Sequence, residues 1–184
     1  MRPALGLFLA FSLGLQGQKF NNLKEALKNP LKVIELDLSK QNLSTFPLEV
    51  LQCPNLKVLD LSHNAIRVLP NNLSTLSQLE ELDLAKNELT QISSALSQLP
   101  KLRVLKVSRN PISRLEANLN LYPALEILDL WNCEVDFVSP DLTQNNTLKE
   151  IDLRQNYLGT RELVWLLKAM PKVEIKTTYG CNCN

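Results

Sequence analysis

A single-domain α/β solenoid, in which short parallel strands stack into a curved sheet with an irregular convex return, is predicted by three features of this 184-residue sequence. The first is a repeat: Val33, Leu56, Leu79, Leu102, Leu125 and Leu148 open the same pattern at constant steps of 23 residues. The second is the alternation inside each unit, where apolar residues three and five places on (Leu59 and Leu61 in "LKVLDLSHNAI") give a strand with one buried face. The third is how the chain turns. Only five Gly are present, three of them before residue 18, so the repeats must turn with Asn, Asp and Pro. Asn is the non-Gly residue that best tolerates a left-handed backbone.

Taken from the start, "MRPALGLFLAFSLGLQGQKF" differs from everything after it. Arg2 precedes an uncharged, mostly apolar run from Ala4 to Leu15. The run is shorter than the about 20 residues that span a bilayer, but it fits a secretory signal over residues 1–17, with cleavage expected after Gly17. Removing Arg2 takes the 20 basic residues to 19, against 19 acidic ones. A neutral product gives no general attraction for nucleic acid or an anionic membrane, and no later stretch is apolar enough to serve as an anchor.

Residues 18–32 follow as a helical N-terminal cap, because Leu23, Ala26 and Leu27 share one helix face and Pro30 ends it. Six units fill residues 33–158. A coil cannot bury its apolar face alone, so neighbours create the core, and Val50, Leu73, Leu96, Leu119 and Leu142 are expected to point inward from the return path. Eight places into each unit stand Gln41, Asn64, Asn87, Asn110, Cys133 and Asn156, where an amide can both donate to and accept from adjacent coils. Residues 159–178 read as a C-terminal cap helix and a short final strand, with Trp165 expected in the core or the cap, and 179–184 as a flexible tail.

The pattern L-x-x-L-x-L-x-x-N-x-L, quoted above from Leu56 to Ile66 and extending over about Val33 to Ile175, resembles the leucine-rich repeat family, and its second half is similar to the 23-residue bacterial form. The resemblance implies a helical cap at each end and a protein partner held on the concave sheet face. Extracellular animal members carry Cys-rich caps, and no such cluster precedes the first repeat here. Among the four Cys, Cys53 takes a place otherwise filled by buried Leu, and Cys133 takes an Asn place. Four coils at ~4.8 Å each put them roughly 20 Å apart, beyond disulfide reach. Cys181 and Cys183 could bridge, bind metal with outside ligands or remain thiols. Sequons at Asn42, Asn72 and Asn145 matter where the host glycosylates.

Successive strands set concave residues in columns. One column reads Asp37, Asp60, Asp83, Lys106, Asp129, Asp152 and then, in the terminal strand, Glu174. The next reads Ser39, Ser62, Ala85, Ser108, Trp131, Arg154, and the third Lys40, His63, Lys86, Arg109, Asn132, Gln155. Stacked Asp could hold calcium, yet the ligand-rich loop of such sites is missing. Ser62 and His63 are adjacent on an open face without oxyanion donors, which argues against hydrolysis. Trp131 stands out where its neighbours are small. With Lys106, Arg109 and Arg154 around it and Asp129 and Asp152 beside it, it is the expected partner-binding anchor, Trp and Arg being enriched at binding hot spots. The alternative is a flat Trp131 on which Arg154 stacks. The expected product is a secreted or periplasmic monomer that binds an unidentified protein, without catalysis, cofactor or metal. An intracellular scaffold and a surface adhesin for glycan or matrix are the alternatives.

Overall fold

Leu residues two apart share a face only in extended chain, so the alternating part of each unit must be a strand. The computed structural model describes residues 17–116 and 121–178 and shows these strands in chain order. They are β1 (Gln18–Phe20), β2 (Val33–Asp37), β3 (Val58–Asp60), β4 (Glu81–Asp83), β5 (Val104–Lys106), β6 (Arg114–Leu115), β7 (Ile127–Asp129), β8 (Phe137–Val138), β9 (Glu150–Asp152) and β10 (Glu174–Lys176). Eight of them form one parallel sheet in the order β1-β2-β3-β4-β5-β7-β9-β10, and β6 pairs with β8 in a second, two-stranded sheet. The 23-residue step holds through the ladder, with Leu59 opposite Leu82, Leu82 opposite Leu105, and Leu105 opposite Leu128.

One apolar core runs the length of the stack. Leu36, Leu59, Leu82, Leu105, Leu128 and Ile151 face it from the strands, and Val50, Leu73, Leu96 and Leu142 from the return path, all buried. Leu119 and the tail with Cys181 and Cys183 lie outside the described residues, as does most of the expected signal segment. Tight 3-10 turns make part of the convex side, at Leu48–Gln52, Ser94–Gln98 and Pro140–Gln144.

The corner after each strand departs from expectation. The left-handed residues are Lys40, His63, Lys86, Arg109, Asn132 and Gln155, with φ between 53° and 58°, besides Asn42. Asn is thus not the usual left-handed residue, because its amide is needed one place later. The backbone strain is offset where the left-handed N–H donates to the next coil, as from His63 to Ala85 at 2.8 Å and from Arg109 to Trp131 at 2.9 Å.

That later place is the inter-coil staple. Asn87 Nδ2 donates to the Leu61 and Leu84 carbonyls at 2.9 and 3.0 Å, while its Oδ1 accepts from Ile66 N–H at 2.9 Å. Asn110 repeats this with Leu84, Val107 and Leu89, and Asn64 and Asn156 do so in their coils. Cys133 keeps only the donor half, its thiol lying 3.3 Å from the Val107 carbonyl. The Ile112 N–H that an Asn there would accept turns back to the Asn110 carbonyl at 2.8 Å. Burial pushes the Cys133 thiol up to about 11 and raises that of Cys53, so neither is an available thiolate near neutral pH.

The capping segments and one sequon add to or alter the sequence reading. Residues 18–32 hold strand β1 before a helix, α1, of only four residues (Leu23–Ala26). Asn22 caps α1 by accepting from Glu25 N–H at 3.1 Å, and Pro30 starts a 3-10 turn over Pro30–Lys32. In the C-terminal helix α2 (Thr160–Ala169), Leu163 and Leu166 are buried, but Trp165 is 37% exposed and belongs to the outer face. In β10, Lys176 and not Glu174 falls opposite Asp152, while Glu174 meets Glu150. A ten-residue helix replaces the extended return in this coil, so the 23-residue count does not carry across it. Finally, Asn145 is buried and accepts from the N–H groups of Thr147 and Leu148, so its sequon is a structural turn that folded protein does not offer for glycosylation.

Asn87→Ala strands three buried backbone partners and should lower the unfolding free energy by about 2–4 kcal/mol. Cys133→Ala forfeits one weak donor and should lower it by less than about 1 kcal/mol. Urea unfolding of both variants checks the order.

Candidate functional site

The concave floor is built from outward positions of the strands. The column that begins at Asp37 has a job in the fold. Each Asp accepts, through Oδ1, the backbone N–H two residues on: Ser39, Ser62, Ala85, Trp131 and Arg154, at 2.8–3.0 Å. These Asx turns end the strands, which explains the recurrence of Asp without any ligand. Among the described residues, Asp37, Asp60, Asp83 and Asp129 make no ion pair. Lys19 is instead near Glu35 at 3.5 Å, and Lys106 holds Glu81 at 2.5 Å.

Two carboxylates show opposite effects of that setting. Hydrogen bonds from Ser39 hold the Asp37 carboxyl below its usual range. Burial pushes Asp83 up, helped by repulsion from Asp60 and Glu81. For Asp83 the folded chain binds its proton more tightly than the unfolded chain, so its penalty appears as pH rises through the carboxylate range and persists at neutral pH.

Around Trp131 the structure separates the residues that the sequence grouped. Arg109, from the left-handed corner of the preceding coil, lies over the indole ring, 4.4 Å from its centroid. The stacking cation is therefore Arg109 and not Arg154. Arg154 folds back on Asp152, with its guanidinium 2.5 Å from Oδ2, and Lys106 is engaged by Glu81. Trp131 and Arg109 thus make one aromatic-cationic platform, half-buried at the ring and exposed at the guanidinium. Asp129 lies beneath it as the acceptor for Trp131 N–H. A second stack, Arg114 over Phe137 at 4.1 Å, joins the same two coils on the far side.

Sequence reasoning missed the column two residues earlier, in which half-buried Val58, Val104 and Ile127 interrupt Glu35, Glu81 and Glu150. The same 23-residue register contains it, so it was legible. Lys19 had no such signal, because β1 lies outside the repeat. The five carboxylates Glu35, Asp37, Asp60, Glu81 and Asp83 line a shallow concavity with Val58 at its centre. At Ser62 and His63 the Nδ1–Oγ distance is 3.3 Å. Ser62 is buried and the Asp60 oxygen goes to its backbone N–H, so no carboxylate orients the imidazole among the described residues. No helix among them is long and apolar enough to cross a membrane.

A parallel strand per 23-residue unit, an Asn staple at four of the six corners and an open concave face define a leucine-rich repeat solenoid. The family model described as leucine rich repeat matches residues 54–112. A solved leucine-rich repeat protein of Leptospira interrogans shares the fold with a TM-score of 0.68 and 25% sequence identity, over 86% of this chain and 46% of that one. The chain therefore spans about half the length of that relative. No curated protein matches the sequence significantly. Residues 54–112 carry the leucine-rich repeat, and the described chain has the fold of a leucine-rich repeat solenoid.

A double-mutant cycle on Arg109→Ala and Trp131→Ala should give a coupling of about 0.5–1 kcal/mol in urea unfolding. Asp83→Asn retains the acceptor for Ala85 N–H and removes a repelled charge. It should leave the chain as stable as the parent or more so at pH 7, with the advantage shrinking as the pH falls toward 4.

Proposed function

We propose that this chain is an exported, non-catalytic leucine-rich repeat protein that holds a protein partner on its concave face. The observation that carries the reading is the platform of Trp131 under Arg109, presented from the sheet on the side that no other element covers among the described residues. An aromatic ring held flat by a cation lowers the ordering cost of binding, and Trp with Arg is a pairing typical of hot spots. Around it Arg154 pairs with Asp152 and Lys106 with Glu81, while Asp129 makes no ion pair among the described residues. Export is supported by the apolar run from Ala4 to Leu15, and the family supports a role in protein interaction.

With the full chain immobilised, Trp131→Ala should reduce partner capture from an extracellular extract at least tenfold while shifting the unfolding midpoint little. Capture that survives in a chain destabilised by the substitution would show Trp131 to be a structural residue. N-terminal sequencing of the mature protein should begin at Gln18, and an intact Met1 or Arg2 would remove export.

A further inference from the structure

The concave floor is an unpartnered sheet face whose charge and spacing restrict what can lie on it. Asp37, Asp60 and Asp83 stand directly opposite one another on β2, β3 and β4. None has an ion-pair partner among the described residues, and only longer-range attraction reaches them, from Lys19 and Lys40 to Asp37 and from Lys106 to Asp83. Val58, and further along Val104 and Ile127, leave half-buried apolar surface beside this row. An occupant must therefore bring cations to one line and apolar groups to the line next to it.

Spacing selects its form. Neighbouring coils are ~4.8 Å apart, so the three carboxylates recur at ~0, 4.8 and 9.6 Å along the stack. An extended segment repeats a face every ~6.7 Å and loses register after one step. A helix laid along the stack places residues i, i+3 and i+7 on one face at ~0, 4.5 and 10.5 Å, within about 1 Å of each carboxylate.

Resting on the concave-face reading above, we infer that the first four coils receive a basic amphipathic helix of the partner. Its Lys or Arg residues at i, i+3 and i+7 sit on Asp37, Asp60 and Asp83, and its apolar stripe covers Val58 and Val104. The bound cations relieve the mutual repulsion of Asp60 and Asp83. Trp131 and Arg109 then engage the continuation of the same partner beyond Lys106, whose positive end interrupts the acidic row and sets the helix position.

The test uses the full chain and three probe peptides of about five helical turns. One carries Lys at i, i+3 and i+7 beside a Leu stripe, one has Glu in place of Lys, and one is the scrambled Lys sequence. The Lys helix should bind at least tenfold more tightly than the other two, and should shift amide resonances in β2, β3 and β4. The double variant Asp60→Asn with Asp83→Asn keeps the Oδ1 acceptors that end the strands and should weaken binding tenfold or more, whereas Asp136→Asn outside the face should not. Equal binding of the scrambled peptide, shifts elsewhere, or indifference to the double variant overturns the inference. If the helix fails while capture still depends on Trp131, concave binding stands and the helix falls. If the helix binds β2–β4 while capture ignores Trp131, the anchor falls and the acidic row stands.

Discussion

Each corner of this stack leaves backbone carbonyls and amides pointing into an apolar interior, where an unpaired group costs about 1–3 kcal/mol. The molecule depends on one side chain per coil that meets that demand. An Asn can donate twice and accept in the same place, and Asn64, Asn87, Asn110 and Asn156 do so between neighbouring coils. Everything on the concave side inherits its position from these staples. The strand register that aligns Asp60 with Asp83 and sets Trp131 beside Arg109 holds only while adjacent coils are locked to each other. Cys133 is the one described place in the Asn run of coils two to six where half the staple is missing. The same junction carries two Arg–aromatic stacks and the extra β6–β8 ladder.

The charged residues follow a similar economy. Lys57 with Glu80, and Arg103 and Lys149 with Glu126, lie across coils on the flank of the sheet. These pairs are largely exposed, and each contributes little to stability. They engage Lys57, Arg103 and Lys149 away from the concave floor. What remains is an acidic row on the first coils and an Arg-covered Trp on the later ones, a face with direction along the solenoid axis. A partner that read only shape could lie either way round. This distribution of charge fixes one orientation.

The fold was legible because a repeat reports the same register six times. Leu59, Leu82 and Leu105 are buried for the reason the period gives, and Cys53 and Cys133 fell into their columns by counting alone. Legibility stopped where the period did. Lys19, the outward Trp165 and the offset of Lys176 against Asp152 all belong to capping segments whose lengths obey local helix and strand geometry. The site was legible only as a list of outward residues. Counting placed Trp131, Arg109, Lys106 and Arg154 near one another, but side-chain competition decides their contacts. Arg154 has Asp152 two residues away and Lys106 has Glu81 across the sheet, which leaves Arg109 to cover the ring. The role of Asp at the strand ends was hidden for a different reason, since an Asx turn is made by a backbone N–H that sequence columns do not display.

The most direct measurement of the central claim, that the Asn staples hold the concave face in register, is amide hydrogen exchange resolved by residue. The N–H groups of Ile66, Leu89 and Val135, which donate to Asn87, Asn110 and Asn156, should exchange only through global unfolding. That of Ile112, which lacks an Asn acceptor and donates to its own coil, should exchange at least tenfold faster through local opening. Ile112 protected as strongly as Ile66 and Leu89, or all four exchanging at the rate of surface turns, would contradict it.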